Sequence, residues 1–328
     1  MIITRSPMRI TLGGGGTDLP SFYSQHVGFL ITMAINKYFY SVVSPRQDNK
    51  IQVISSDFKS METKAIERMN EITMEIPKVV MRHFDIDRGC NIFTGSEIPS
   101  GTGLGSSGSV MVNMIKAMSV FNGLDLSKRE IAETACYLEM DVMGAPVGKQ
   151  DQYIASYGGV KNFIFQKDGT VEVSDARISE STLRELEKNM LVFYTGIRRD
   201  SANVLTEQKK ASPKTTEQMT FIKDLGLRSR DALESGELST FAELMREHWE
   251  HKKKRSPDMT NSLINEWYDH ALKNGAVGGK VIGAGGGGFL LFYTLDREKL
   301  VRELASTGLT PVRFDFDFEG STLLVNTA

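Results

Sequence analysis

A glycine-rich loop followed by a helix has the residue types that phosphate binding needs. Residues 99–109 read "PSGTGLGSSGS" and combine four glycines with four serines. The glycines expose backbone N–H groups and the serines add hydroxyls. Helical periodicity begins directly afterwards, so the positive end of a helix dipole points at the loop. These features together predict an anion site, and phosphate is the anion that we expect there.

The whole loop is predicted to contact phosphate, but it is not one of the common nucleotide motifs. A Walker motif needs a lysine after its last glycine, whereas Ser109 and Val110 follow here. A dinucleotide-binding fold needs an acidic residue at a strand end about twenty positions on. Asp125 occupies that place in a loop before a helix. The predicted contacts are Pro99, Ser100, Gly101, Thr102, Gly103, Leu104, Gly105, Ser106, Ser107, Gly108 and Ser109.

Two carboxylates further along the chain would convert a phosphate site into a transfer site. Glu139 shares a helical face with small apolar residues, and with Ser107 it would offer Mg²⁺ the oxygen ligands that this ion accepts beside phosphate. Asp151, in "GKQDQY", is expected in a glycine-flanked loop between a helix and a strand, where it could act as a base. The alternatives are an ordinary surface residue for Glu139 and a turn or cap residue for Asp151.

Two more glycine clusters lie far from this loop in the sequence, "LGGGGTDLP" at residues 12–20 and "GAGGGGF" at residues 283–289. Taken singly, each cluster is explained by tight turns. Three clusters are harder to explain in this way, because glycine is costly in chain entropy where nothing needs close backbone approach. We therefore interpret them as places where backbone approaches a ligand or another segment.

The elements that must position these residues mix strands and helices. Strands are predicted in "MIITRSPMRITL", "GFLITMAINKYFYSVVS", "KIQVISS", "CNIFTG" and "NMLVFYTGI". Helical patterns occupy residues 59–84, the segment after the glycine loop up to Gly123, a segment capped by Ser127 and Glu130, and most of residues 215–274. In the last of these, Leu263, Trp267 and Ala271 mark one apolar row. Strands with glycine turns are expected past "GKQDQYIASYGGVKNFIF".

Composition excludes several classes of protein. The chain has 328 residues, 40% hydrophobic and 24% charged, with a formal net charge of −2. No basic field attracts nucleic acid, and we expect no membrane span, no leader and a cytoplasmic location. Two cysteines and five histidines show no spacing suited to zinc. The basic run "HKKKRSP" at 251–257 is better explained as the charged end of a helix than as a phosphate site.

The motifs "RSPMRITLGGGGTD", "EIPSGTGLGSSGS" and "GAGGGGF" resemble, in order, the three motifs of the GHMP small-molecule kinases, and they span residues 5 to 289. The resemblance implies an α+β, two-lobed fold with ATP in the cleft. An N-terminal lobe like domain 2 of ribosomal protein S5 would occupy residues 1–192. A ferredoxin-like α+β lobe would occupy residues 193–328.

The resemblance also assigns roles to residues. It gives the loop 99–109 to the ATP phosphates, Ser107 and Glu139 to Mg²⁺, and Asp151 to the catalytic aspartate, with Arg9 beside it. In galactokinases the first motif contains Glu and His where this chain has only glycines before Thr17 and Asp18. The pair Thr17–Asp18 therefore suggests a sugar acceptor other than galactose.

Within the family, the first and third motifs look most like those of the heptose 7-phosphate kinases. The implied reaction is phosphorylation of the anomeric hydroxyl of D-glycero-D-manno-heptose 7-phosphate. The alternatives are a kinase for another sugar, such as L-fucose or galactose, and a catalytically silent sensor that binds sugar and ATP. An RNA-binding module is disfavoured by the near-neutral charge, and a homodimer is possible. The residues expected to bind the acceptor are Thr17, Asp18, Arg198, Lys280, Gly285 and Gly286.

Overall fold

The computed structural model describes residues 1–56, 59–99, 101–197, 213–253, 259–283 and 285–327. The strands are β1 Ile2–Gly13, β2 Gly28–Pro45, β3 Lys50–Ser55, β4 Ser60–Ala65, β5 Cys90–Ser96, β6 Val160–Phe165, β7 Val171–Asp175, β8 Met190–Tyr194, β9 Ala276–Val281, β10 Phe289–Thr294, β11 Thr310–Val312 and β12 Thr322–Asn326. The α-helices are α1 Pro20–Tyr23, α2 Glu75–His83, α3 Ser106–Phe121, α4 Lys128–Cys136, α5 Gln150–Tyr157, α6 Glu180–Asn189, α7 Pro213–Glu234, α8 Leu238–Lys253, α9 Ser262–Lys273 and α10 Arg297–Ala305. A 3₁₀ turn spans Ile66–Glu71, and a π-helical segment, Tyr137–Val142, continues α4.

Two sheets organise the described part of the chain. The larger has eight strands, with a main path β12-β1-β2-β5-β3-β4 and with β6 and β7 attached beside β2. The smaller has four strands in the order β11-β8-β10-β9. Strands β3 and β5 pair in parallel, and the other pairs are antiparallel. This mixture of mainly antiparallel sheets and packed helices confirms the predicted α+β class.

Helix α3 begins at the glycine loop and packs in the hydrophobic core against the larger sheet. Met111, Met114, Ile115 and Met118 have no exposed surface and pack with residues of β3 and β5. A helix that is apolar on nearly every side must be buried, which fixes its direction and the place of its N-terminus. Asn122 ends the helix, and Gly123 follows with a φ of 74°, as the sequence predicts.

Three segments differ from the sequence predictions. Residues 60–65 form edge strand β4 rather than the start of a helix, because Ser60–Ala65 pairs with β3 along its whole length. Helix α5 begins within "GKQDQY", where a loop between a helix and a strand is predicted; its residues from Gln152 to Ser156 are all buried, so no amphipathic period marks it. In α9 the buried row contains Ile264, Trp267 and Ala271, while Leu263 is exposed.

The chain passes from the larger sheet to the smaller one and then returns to the larger sheet. The predicted boundary after residue 192 falls inside β8, which belongs entirely to the smaller sheet. Strand β12 returns to the larger sheet and pairs with β1. The boundary at 192 therefore stays a prediction.

No helix in the described ranges is long and apolar enough to cross a membrane. The cytoplasmic location and the homodimer stay predictions.

Candidate active site

All three glycine clusters meet at one cavity of about 640 Å³. Gly15 and Gly16 from the first cluster, three alternate glycines of the loop, and Gly283 from the third cluster lie in its wall. Gly283 also packs on the loop itself, since a Cβ there would lie 2.6 Å from the Gly103 Cα. The clusters are thus places of close backbone approach rather than turns alone.

The loop at residues 101–105 alternates between the cavity and the core. Gly101, Gly103 and Gly105 line the cavity with φ values of 76°, 91° and 78°. Thr102 and Leu104 between them are buried. Such positive φ values favour glycine, because a Cβ is strained there. The alternation turns one row of the loop towards the cavity while the other row anchors it.

Helix α3 starts at the end of this loop without a side-chain cap, and Ser106 and Ser107 of its first turn line the cavity. The first N–H groups of a helix lack partners within it and carry partial positive charge. The other predicted contacts lie behind the wall: the Ser109 hydroxyl donates to the Pro7 carbonyl at 2.7 Å, and the Pro99 carbonyl accepts from the Thr102 hydroxyl. Ser100 lies outside the described residues.

Asp151 and Arg9 form a two-pronged ion pair on the floor of the cavity. Arg9 Nε donates to Asp151 Oδ1 at 2.7 Å, and Nη2 donates to Oδ2 at 3.0 Å. Arg9 Nη1 also donates to the Gly103 carbonyl at 2.6 Å, which joins the pair to the loop. Asp151 lies in the first turn of α5, not in the predicted loop, so the helix fixes its position. The carboxylate remains partly accessible, with 24% of its side chain exposed.

Ser107 and Glu139, the predicted metal ligands, contact each other directly. The Ser107 hydroxyl donates to Glu139 Oε1, and Gln152 Nε2 donates to Oε2 at 2.6 Å. Burial raises the pKa of Glu139, and these two donors act against that rise. A buried carboxylate beside a hydroxyl is a hard-oxygen donor set that fits Mg²⁺. No group of three or more His, Cys, Asp or Glu in the described residues could hold a metal, so a cation here would need further oxygen ligands from phosphate or water.

The first cluster places Asp18 in the cavity and Thr17 behind it. Asp18 Oδ2 accepts from the Gln150 N–H at 3.1 Å, and burial raises the pKa of Asp18 to about 6. Thr17 is fully buried; its hydroxyl donates to the Gly14 and Phe29 carbonyls. Backbone groups thus use the Thr17 hydroxyl, and contact of Thr17 with the acceptor stays a prediction.

The residues predicted around the third cluster are only partly brought to the cavity. Lys280 lines it, and its Nζ donates to the Leu12 carbonyl at 2.7 Å. Burial, and next the charge of Arg9, lower the pKa of Lys280 to about 7. Gly285 and Gly286 pack against Met259. Neither glycine lines the cavity in the part of the chain that the structure describes. Arg198 lies outside the described residues.

Sequence reasoning missed two basic residues of the wall. His248 and Lys252, one helical turn apart on α8, are buried and line the cavity, and Lys252 Nζ donates to the Gly283 carbonyl. Lys252 lies in the last turn of α8, as the explanation of "HKKKRSP" as a charged helix end predicts, and its side chain also lines the cavity. Their spacing of four residues, which puts both on one helical face, is the signal that could have identified them.

The geometry assembles three capabilities in one cavity. Open helix N–H groups and loop glycines can bind phosphate oxygens. A carboxylate oriented by a guanidinium can accept a proton, or orient a hydroxyl, within reach of that site. A buried carboxylate with a serine hydroxyl can hold a divalent cation.

Two family models match the chain. The model of the GHMP kinases N terminal domain matches residues 70–159, and that of the GHMP kinases C terminal domain matches residues 229–308.

Several proteins are similar over nearly the whole chain. D-glycero-alpha-D-manno-heptose 7-phosphate kinase of Campylobacter jejuni is 31% identical over 97% of both chains. A bifunctional fucokinase/GDP-fucose pyrophosphorylase of Arabidopsis thaliana is 26% identical over 89% of this chain and 30% of its own length. A crystal structure of a D-glycero-D-manno-heptose 1-phosphate kinase from Bacteroides thetaiotaomicron gives a TM-score of 0.82 at 25% identity, covering 100% of both chains.

Proposed function

Since this chain belongs to the GHMP kinases, ATP-dependent phosphotransferases with an alcohol group as acceptor, we propose that it phosphorylates the anomeric hydroxyl of a heptose phosphate. The observation that carries the proposal is the Asp151–Arg9 pair beside the glycine loop in one cavity. The heptose 7-phosphate is the favoured acceptor, because the Campylobacter kinase named for that substrate aligns along nearly the full length. The product would be the 1,7-bisphosphate, a precursor for nucleotide-activated heptose.

The loop and the start of α3 are proposed to bind the ATP phosphates. Gly101, Gly103 and Gly105 leave room for close approach, and the N-terminal turn of α3 offers N–H donors in the wall. In phosphoryl transfer, catalysis depends mainly on positioning and on electrostatic stabilisation. Held by the Ser107 hydroxyl and the Glu139 carboxylate, Mg²⁺ would neutralise charge on the phosphate oxygens.

Asp151 is proposed to orient the acceptor hydroxyl and to accept its proton as the new bond to phosphorus forms. Arg9 fixes both carboxylate oxygens, so the carboxylate cannot rotate away from the hydroxyl. The same guanidinium places a permanent positive charge beside the group that is transferred.

The acceptor is proposed to lie between Asp151 and the first glycine cluster. Asp18, which also lines the cavity, offers a buried carboxylate to sugar hydroxyls. Lys280, with Arg198 as predicted from the sequence, is the proposed contact for the substrate phosphate. The proposed phosphate contact by Lys280 is supported by its position in the cavity wall, near the charge of Arg9.

A test of the acceptor is an ADP-release assay with Mg·ATP over a panel of sugars. The panel contains heptose 7-phosphate and heptose 1-phosphate, because two similar proteins are named for different phosphate positions. It also contains L-fucose, galactose, mevalonate and homoserine. ADP release with heptose 7-phosphate alone supports the proposal. Turnover of L-fucose or galactose alone favours that sugar, and no turnover with any acceptor favours a silent sensor.

A further inference from the structure

Gln152 occupies a place in the site that neither its sequence pattern nor the family motifs assign. It follows Asp151 in the first turn of α5 and has no exposed surface. Its Nε2 donates to Glu139 Oε2 at 2.6 Å, while the Ser107 hydroxyl donates to the other oxygen, Oε1. The two oxygens of Glu139 therefore have donors from two different helices.

The orientation of the Gln152 amide is set by this one bond. A carboxylate can only accept, so the amide must present its nitrogen to Glu139. The opposite atom, Gln152 Oε1, is buried and has no hydrogen-bond partner in the part of the chain that the structure describes. A buried amide oxygen without a hydrogen-bond partner lowers the free energy of unfolding. The position of Gln152 directly after Asp151 and in contact with Glu139 points to a role in the site.

Close packing of α3 on α5 brings Gln152 to this position. A Cβ at Gly108 would lie 2.6 Å from the Asp151 Cβ and 3.0 Å from the Gln152 nitrogen. The absence of that Cβ lets the helix that carries Ser107 approach the helix that carries Asp151 and Gln152. One turn of α5 thus holds the proposed base and the donor that faces Glu139.

We propose that Gln152 is a positioning residue for the Glu139 carboxylate. By fixing Oε2, it would keep Oε1 beside the Ser107 hydroxyl, where both oxygens would serve as ligands of a divalent cation. The inference rests on the metal role proposed for Glu139. Partners that orient metal ligands typically change metal affinity by about 10- to 100-fold when they are removed.

The test measures Mn²⁺ binding by electron paramagnetic resonance, with β,γ-imido-ATP present and no turnover. Gln152→Met keeps the length of the side chain and removes the donor. We expect the dissociation constant for Mn²⁺ to rise at least tenfold. Gln152→Asn keeps an amide but shortens its reach by about 1.5 Å, one carbon–carbon bond, and should also weaken binding. Gln152→Asn serves as the test variant if Gln152→Met fails to fold.

Asn113→Leu is the matched control. Asn113 is another buried amide with no exposed surface, and it lies on α3, the helix that carries Ser107. Its bonds run to Phe39 and Thr4, so its loss should lower stability and leave Mn²⁺ affinity unchanged.

Three outcomes would contradict the inference. Unchanged affinity in both Gln152 variants overturns the role of Gln152 alone. An equal loss in Asn113→Leu shows general loosening and also overturns it. Absence of Mn²⁺ binding by the unmodified protein overturns the metal role of Glu139, and the role of Gln152 with it.

Discussion

At the scale of single residues, the chemistry depends on how Arg9 holds Asp151. Two parallel N–H···O bonds fix the plane of the carboxylate, and a third bond ties the guanidinium to the Gly103 carbonyl. Bidentate pairs of this kind supply geometric specificity as well as energy. The pair therefore acts as one preorganised unit.

Asp151→Asn should lower kcat by about 10²- to 10⁴-fold, the usual contribution of general base catalysis. The amide keeps the size of the side chain but cannot accept the hydroxyl proton. The KM for ATP should change little, because Asp151 is not proposed to bind the nucleotide. Steady-state ADP release measures both constants.

Asp125→Asn, at an aspartate whose side chain is fully exposed, is the control and should retain wild-type turnover. Near wild-type kcat in Asp151→Asn would remove the base from the mechanism.

Lys280 gives the protein a dependence of stability on pH. Burial lowers its pKa from 10.5 to about 7 in the folded chain. Between these values the unfolded chain binds more protons, so the free energy of unfolding rises with pH. This contribution is absent well below pH 7 and grows to about 2 kcal/mol between pH 7 and pH 9, relative to its value at pH 7.

Lys280→Met should flatten this rise by about 2 kcal/mol. Urea unfolding at pH 7 and pH 9 measures it, and subtraction from the wild type cancels the other titrating groups. The exposed Lys50→Met serves as the control and should keep the wild-type slope. A slope unchanged in Lys280→Met would show that this lysine stays protonated over the whole range.

Sequence reasoning could identify the reactive side chains but not what surrounds them. Arg9, Asp18, Glu139 and Asp151 were named from motifs, and all line the cavity or bond to its wall. The bond between Thr17 and Phe29 could not be foreseen, because Thr17 lies in the turn region after β1 and Phe29 lies on β2. Short-range patterns do not contain such pairings.

At the scale of elements, the site depends on how closely α3 can approach α5. Gly108→Ala would place a methyl group 2.6 Å from the Asp151 Cβ and 2.9 Å from its carbonyl carbon. Since backbone would have to move, we expect at least a tenfold loss of kcat and a loss of about 1–3 kcal/mol in the free energy of unfolding. Kinetics and urea unfolding test these values.

Gly123→Ala is the contrasting variant. Its φ is 74°, and a Cβ there would meet nothing within 4 Å. It should cost about 1 kcal/mol through backbone strain and leave kcat intact. If Gly108→Ala behaved like Gly123→Ala, close helix packing would not be what positions Asp151.

Elements with clear periodicity or caps were predictable, whereas α5 and β4 were not. The capping box formed by Ser127 and Glu130 begins α4 as expected, because each side chain accepts a hydrogen bond from the other residue's backbone N–H. Helix α5 was missed because Gln152 and its neighbours are buried on every side. The edge strand β4 was missed because its pairing with β3 is set by tertiary structure.

At the scale of the whole molecule, the two sheets share one core. Ile10 and Leu12 of β1 pack in the same cluster as Leu225 and Phe241 from the helices of the second half. Gly226 of α7 approaches the first glycine cluster, where a Cβ would lie 2.8 Å from the Gly14 Cα. The cavity is therefore built by both halves of the chain.

A fragment of residues 1–192 should not fold cooperatively. It lacks β12, the partner of β1, and exposes the apolar surface that the second half covers. Thermal unfolding followed by circular dichroism should show no sigmoidal transition in the fragment, in contrast to the full chain. A sharp transition would establish the first 192 residues as an autonomous domain.

The central claim is transfer of phosphate from ATP to an anomeric hydroxyl. Its most direct test is ³¹P nuclear magnetic resonance of the protein with Mg·ATP and heptose 7-phosphate. We expect a second sugar phosphate resonance, coupled to the anomeric proton, that grows as ATP is converted to ADP. A new phosphate at any other position, or ADP formation with no new sugar phosphate, would contradict it.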